Sequence, residues 1–298
     1  MRGIPMQLDL VYDIPVRAEN KPFKTQLLKW IGNKQRFAHE IISFFPLNFN
    51  TYYEPFLGSG AVLGSLAPNK GVGSDIFKPL IEIWQTLKHN PELLLQWYTE
   101  RYNLIKEYGK EDTYEIVKAA FNKNQNGADF VYLTRSCYGG VVRFRQADGF
   151  MSTPCGVHDP IKPFAFEKRI DEWAFRVKNS DFYSTDFSEM LAEAKSGDLV
   201  YCDPPYTFSQ GIVYGAQSFR LEKLISEIEK CKVKGVFVAL SIDGTKKSGN
   251  FICDLPIPKG LFNREVSVNI GRSMLKRFQM EGETLETEHV TDRLLLTY

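Results

Sequence analysis

Leu199-Val200-Tyr201-Cys202-Asp203-Pro204-Pro205-Tyr206 begins as an apolar run and ends in an acid, two prolines and an aromatic. Val and Tyr favour a buried, pleated strand, and neither proline can donate a ladder hydrogen bond, so pairing stops at Asp203. Residues 203–206 therefore form a stiff loop at a strand's carboxyl end. Two earlier stretches follow the same plan. Thr51-Tyr52-Tyr53-Glu54-Pro55-Phe56 is β-rich and runs into Leu57-Gly58-Ser59-Gly60 before a small-residue helix starting at Ala61, and Gly71-Val72-Gly73-Ser74-Asp75 ends in an acid. Strand, glycine turn and helix make the first unit of a nucleotide-binding α/β fold, in which ligands bind at the carboxyl edge of the sheet.

The chemistry at that edge is specific. The Asp203 carboxylate and the Pro204 carbonyl are two acceptors on a rigid backbone, suited to both hydrogens of a planar amino group, and Tyr206 offers a flat face for the ring that carries it. Such a loop suits methylation of an exocyclic amine; the plainer alternative is a Pro-Pro turn with an exposed aspartate. Gly58, Gly60 and Gly64 miss the G-x-G-x-x-G register, and Glu54 beside the turn would repel a pyrophosphate but attract an ammonium or sulfonium group. That favours S-adenosyl-L-methionine over a dinucleotide. Asp75 stands at the offset at which a carboxylate takes ribose hydroxyls, and Asp186, ending Asp181-Phe182-Tyr183-Ser184-Thr185-Asp186, can meet the adenine amino group; either acid can instead cap the helix that follows it. Upstream, Trp30-Ile31-Gly32-Asn33-Lys34 reads either as a turn before a helix carrying Phe37, Ile41, Ile42 and Phe45, or as a stacking ring and a cation for a ligand carboxylate.

Composition bounds these readings. With 298 residues, 43% of them hydrophobic and 24% charged, the chain can bury an ordinary globular core. The formal net charge is only +1, so a nucleic-acid partner must be met by a local patch. Five scattered cysteines without a C-x-x-C pair fit a reducing cytoplasm, and four dispersed histidines show no metal-ligand spacing; no metal is expected. Charges near the start argue against a signal peptide and the apolar run at 235–242 is too short for a bilayer, so no membrane partner is expected.

A helical pattern spans residues 79–105, with Leu80, Ile83, Trp84, Leu87, Leu94 and Trp97 read as core. Residues 110–165 then turn basic and polar. Within them, Gly139-Gly140-Val141-Val142-Arg143-Phe144-Arg145 followed by Asp148-Gly149-Phe150-Met151 reads as a glycine-flanked hairpin with Arg143 and Arg145 on one face, placed to meet phosphates or guanine edges. Basic hairpins are also common solvated surface. Helix 219–230, a buried strand at 235–242 and a strand pair at 264–270 and 292–298 close the chain, with Arg272 and Lys276 in the intervening loop as a second basic patch.

Taken in order, Lys29-Trp30-Ile31-Gly32-Asn33-Lys34, Glu54-Pro55-Phe56-Leu57-Gly58-Ser59-Gly60, Ser74-Asp75-Ile76, the hairpin, Asp203-Pro204-Pro205-Tyr206 and Asp292-Arg293-Leu294-Leu295-Leu296-Thr297-Tyr298 resemble the Dam-like family of DNA adenine-N6 methyltransferases, the permuted alpha group. The resemblance covers nearly the whole chain. It implies an α/β fold: a Rossmann-like seven-stranded methyltransferase sheet made by residues 1–77 and 166–298, interrupted by a helical and hairpin target-recognition domain at 78–165. It implies S-adenosyl-L-methionine held by Trp30, Lys34, Glu54, Phe56, Gly58, Gly60, Asp75, Asp186 and Asp203, with catalysis by Asp203, Pro204, Pro205 and Tyr206. Arg135, Tyr138, Arg143, Arg145, Arg272 and Lys276 would contact double-stranded DNA at a short specific site. A monomeric, cytoplasmic modification enzyme with a cognate restriction endonuclease is the corresponding setting. Cytosine-N4 and protein glutamine methylation are the rivals, and a binding module without catalysis the outsider. The departures from the family fall around Thr134, Tyr138-Gly139-Gly140 and Met151-Ser152, so its GATC target is not implied.

Overall fold

In the computed structural model, which describes residues 22–30, 32–145, 147–205, 219–243, 257–271 and 290–298, the apolar run before Asp203 is a strand buried at all four positions. Seven described strands, β1 (Tyr52–Glu54), β2 (Gly71–Asp75), β3 (Ser180–Ser184), β4 (Leu199–Cys202), β5 (Phe237–Asp243), β6 (Arg264–Gly271) and β7 (Val290–Leu296), form one sheet in the order β3-β2-β1-β4-β5-β7-β6. Neighbours from β3 through β5 are parallel, whereas β7 runs antiparallel to β5 and β6. The strand order reverses between β1 and β4. Glu54 ends β1 and Asp203 follows β4, so both carboxylates lie at that switch point, where a doubly wound sheet opens a ligand crevice. This is the expected Rossmann-like seven-stranded methyltransferase sheet.

Nine helices are described: α1 (Ala38–Ser43), α2 (Ala61–Leu66), α3 (Lys78–His89), α4 (Pro91–Asn103), α5 (Ile105–Lys123), α6 (Gly127–Ser136), α7 (Pro163–Val177), α8 (Phe187–Glu193) and α9 (Leu221–Val233). The pattern at 79–105 is two helices rather than one. Pro91 cannot donate back into α3, and the Asn90 side chain accepts from the Leu93 amide at 3.0 Å, capping a new helix. Helix α3 lies on the sheet through Trp84, stacked on Phe182 of β3 at 5.7 Å, and through Gln85, whose side-chain amide donates to the Phe182 carbonyl at 2.8 Å. The polar stretch after residue 105 holds α5, bent at Gly109, and α6. Their buried residues, Tyr114, Phe121, Phe130 and Tyr132 among them, continue the same core as Trp84 and Trp173. Among the described residues no helix is long and apolar enough to cross a membrane, and no group of three or more His, Cys, Asp or Glu could hold a metal ion.

The hairpin has the expected alternation. Phe144 and Met151 face each other across it and are buried, while Arg143, Arg145 and Phe150 face out. Asn122 of α5 clasps it: its side-chain amide donates to the Met151 carbonyl at 3.1 Å, and its side-chain carbonyl accepts from the Met151 amide at 2.6 Å. At the hairpin's base, Tyr138 N–H donates to Pro154 C=O at 2.9 Å and Gly156 N–H to Ser136 C=O at 2.7 Å.

Candidate active site

The turn from β1 into α2 sets the floor of the site. Gly58 has φ +47° and Gly60 φ +61°, left-handed values that penalise any residue with a Cβ. The Gly58 amide donates to Asp75 Oδ2 at 3.1 Å and its carbonyl accepts from Trp84 Nε1 at 3.2 Å, so the turn is tied to the end of β2 and to α3. A Cβ on Gly58 would stand 2.9 Å from Trp30 Nε1, and one on Gly60 would stand 2.9 Å from the Trp84 ring. Asp75 also accepts from the Phe77 amide at 3.0 Å. Burial raises its carboxyl above the ordinary range, with the Phe77 and Gly58 amides working the other way.

Around this floor lies a cavity of about 1170 Å³, open mouth included. It brings together Trp30, Lys34, Glu54, Phe56, Gly58, Asp75, Asp186, Asp203, Pro204 and Pro205. Gly60 is not among the lining residues; it packs against Trp84 as the N-cap of α2. The lining also holds residues that sequence reasoning missed, chiefly Phe187, Phe219 and Lys223. Phe56 stacks on Phe187 at 5.2 Å and meets Phe219 edge-on at 5.7 Å, forming an apolar wall from three separate segments. Asp186 at the wall's foot caps α8, accepting from the Ser188 amide at 3.0 Å, and pairs with Lys223 at 2.9 Å. The helix-cap reading of Asp186 thus describes a real bond, while the same side chain lines the cavity.

The charges explain what the cavity can hold. Among the described lining residues are the carboxylates of Glu54, Asp75, Asp186 and Asp203 against the ammoniums of Lys34 and Lys223. Lys34 is only 6% exposed and lies 2.9 Å from Asp203 Oδ1. Glu54, 3% exposed, accepts from the Tyr52 hydroxyl at 2.7 Å. Burial pushes its carboxyl up to about 8; the Tyr52 bond opposes this and the nearby Asp203 adds to it. A cationic ligand group would relieve that strain, whereas an anionic one would worsen it.

Of the expected DNA contacts, Tyr138, Arg143 and Arg145 are exposed on the hairpin segment. The hairpin adjoins the cavity: Phe144 on its buried face packs 5.3 Å from Phe77, which lines the cavity, and a Cβ on Gly140 would stand 2.7 Å from Lys29 Cβ. Arg135 is placed differently from these three. Its guanidinium turns inward, donating to the carbonyls of Gln26 at 3.2 Å and Leu27 at 2.7 Å and lying 5.6 Å from the Phe166 ring. Burial and then the adjacent Arg169 bring it down to about 10, and its two bonds brace the segment before Trp30. Tyr206, Arg272 and Lys276 lie outside the described residues.

Comparison with known proteins agrees with this geometry. A family profile described as D12 class N6 adenine-specific DNA methyltransferase matches residues 30–248. A Type II methyltransferase, M1.LlaDCHI, of Lactococcus lactis subsp. cremoris is 28% identical over 258 residues, 81% of this chain and 89% of its own length. The DNA adenine methylase of Escherichia coli K12 is 28% identical over 204 residues, 66% of this chain and 71% of its own. The DNA N-6-adenine-methyltransferase of Escherichia phage P1 is 26% identical over 234 residues, 74% of this chain, which spans only 30% of that protein.

Proposed function

Because the chain belongs to the D12 class of N6 adenine-specific DNA methyltransferases, we propose that it binds S-adenosyl-L-methionine in the cavity between β1 and β4 and methylates the N6 amine of an adenine flipped out of double-stranded DNA. The observation that carries this reading is the convergence of Glu54, Lys34 and Asp203 with the Gly58 turn at the sheet's switch point. The residues fit the donor. The buried Glu54 carboxyl complements a cation, Lys34 a carboxylate, Asp75 the ribose hydroxyls and the wall of Phe56 and Phe187 an adenine ring. The Gly58 turn leaves room that any side chain would fill.

When bound, S-adenosyl-L-methionine supplies the methyl group from its sulfonium centre. The chain's own residues do the rest. Flipping the target base costs a few kcal/mol, which contacts from the 78–165 recognition domain to phosphates and bases offset. Tyr206 stacks on the flipped base. The Asp203 carboxylate and the Pro204 carbonyl accept from the amino hydrogens, drawing the nitrogen lone pair out of ring conjugation and stabilising the positive charge that grows on the nitrogen during attack. Lys34 fixes the carboxylate's position, and Pro204 and Pro205 keep the loop from relaxing. No covalent enzyme intermediate is needed. The family assignment favours adenine over cytosine as the methylated base. The setting we read is a monomer acting at one short site, as the modification half of a restriction-modification pair.

Incubating the purified chain with isotopically labelled S-adenosyl-L-methionine and duplex DNA, then digesting to nucleosides, tests the reaction. Label in N6-methyl-2′-deoxyadenosine is expected. Label in N4-methyl-2′-deoxycytidine, or none in DNA, contradicts the proposal.

A further inference from the structure

The hairpin's outer face carries two arginines in different states. Backbone bonds from Arg145 N to Phe150 O and from Ser152 N to Arg143 O, each 2.9 Å, set Arg145 opposite Phe150 and Arg143 opposite Ser152. Arg145 is held on two sides: Nε donates to Asp148 Oδ1 at 3.1 Å and Nη2 to Oδ2 at 2.6 Å, and its Cζ lies 4.2 Å from the Phe150 ring centroid. Asp148 is itself fixed, accepting from the Phe150 amide at 3.1 Å. Both members of the pair are about half exposed, at 52% and 49%, so the described residues leave the guanidinium open to a partner. The carboxylate covers the Nε–Nη2 edge. The Nη1 group has no partner among the described residues, and the terminal Nη1–Nη2 edge points away from Asp148.

Two parallel donors held in a plane match the O6 and N7 acceptors that guanine presents in the major groove. A phosphate could use the same edge, but Asp148 cancels the charge that draws an arginine to phosphate and keeps the geometry that reads a base. Arg143, with no acid paired to it among the described residues, is the better phosphate ligand. Resting on the DNA-methylation reading above, we infer that Arg145 reads a guanine in the recognition sequence, with Asp148 and Phe150 as positioning residues that hold its guanidinium plane.

The test is to methylate a pool of duplexes, randomised around an adenine, with the purified full chain and its variants, and to sequence the marked products. The wild-type motif should contain a guanine. Arg145→Ala should lose preference for that guanine by about 10- to 100-fold while the other positions keep theirs. Asp148→Ala and Phe150→Ala should weaken the same position, and Asp148→Glu should restore part of it. Replacing that guanine by 7-deazaguanine should slow the wild type, a readout that does not depend on how any variant folds, and should leave Arg145→Ala unchanged. A motif without guanine, or an Arg145→Ala protein with intact preferences or uniformly weaker binding and a smaller salt slope, overturns the inference and leaves the reaction standing. A wild-type chain that marks no adenine in any duplex overturns the reaction itself, and this inference with it.

Discussion

The Lys34 ammonium lies 2.9 Å from Asp203 Oδ1, joining the segment before α1 to the loop after β4 across the cavity. The side chains are only 7% and 19% exposed, so removing either leaves the other charge poorly solvated. Lys34→Met and Asp203→Asn should therefore each lower the melting temperature by more than half the effect of the double change. A double-mutant cycle is expected to give a coupling of about 1 kcal/mol or more, and additive effects would contradict a working pair.

Glu54 should make the ligand-free protein sensitive to pH. Its folded carboxyl titrates at about 8 against an ordinary 4.5, so the native state holds a proton that the unfolded chain has released. The stability this proton contributes is full below 4.5 and is lost as pH rises toward about 8. The melting temperature of wild type minus that of Glu54→Gln should fall across this window and level off above it; a rise would contradict the assignment. A cationic ligand reverses the strain, so S-adenosyl-L-methionine binding at pH 7 should release a proton. Calorimetry in buffers of different ionisation enthalpy reads this directly, and the release should vanish in Glu54→Gln.

Gly58→Ala should weaken binding of the methyl donor. The substitution meets a left-handed φ of +47°, costing about 1–2 kcal/mol, and drives a methyl group to 2.9 Å from Trp30 Nε1 at the cavity wall. Gly149→Ala shares a positive φ of +67° but meets nothing within 4 Å, so it controls for backbone strain alone. Equal donor affinity in the two variants, measured by titration, would argue against the Gly58 turn as part of the binding floor.

Arg135→Ala and Arg143→Ala should separate support from docking. Arg135 holds two backbone carbonyls, so its loss should lower the melting temperature by a few degrees, from about 1–3 kcal/mol of unpaired polar groups. Arg143 is exposed, so its loss should spare the melting temperature and reduce the slope of DNA affinity against salt by about one unit. The opposite pairing of effects would reverse the two roles.

How legible each part was depended on how local its cause is. Helix α2 starts at Ala61, where the glycine turn places it, because a left-handed turn followed by small residues is a short-range signal. Strand β4 and its stop at Asp203 were equally plain, since prolines end a ladder whatever surrounds them. The wall of Phe56, Phe187 and Phe219 had no such signal: its rings come from three distant segments and meet only when the sheet forms. The inward turn of Arg135 lacked a local signal for a related reason. Among basic neighbours it resembles a surface cation, and only the packing of α6 against the segment at residues 26–27 turns it inward. Asn122 likewise gave no hint that it would clasp the hairpin.

The proposed methylation of adenine in DNA by Asp203 and the loop after β4 can be read by single-molecule sequencing of genomic DNA from cells expressing the chain, beside cells expressing Asp203→Ala. Losing one preorganised partner costs about 100-fold or more in rate. N6-methyladenine is expected at one short motif with the wild-type chain, and almost none with the variant. Equal marking by both, or marks on cytosine alone, would overturn this role for Asp203.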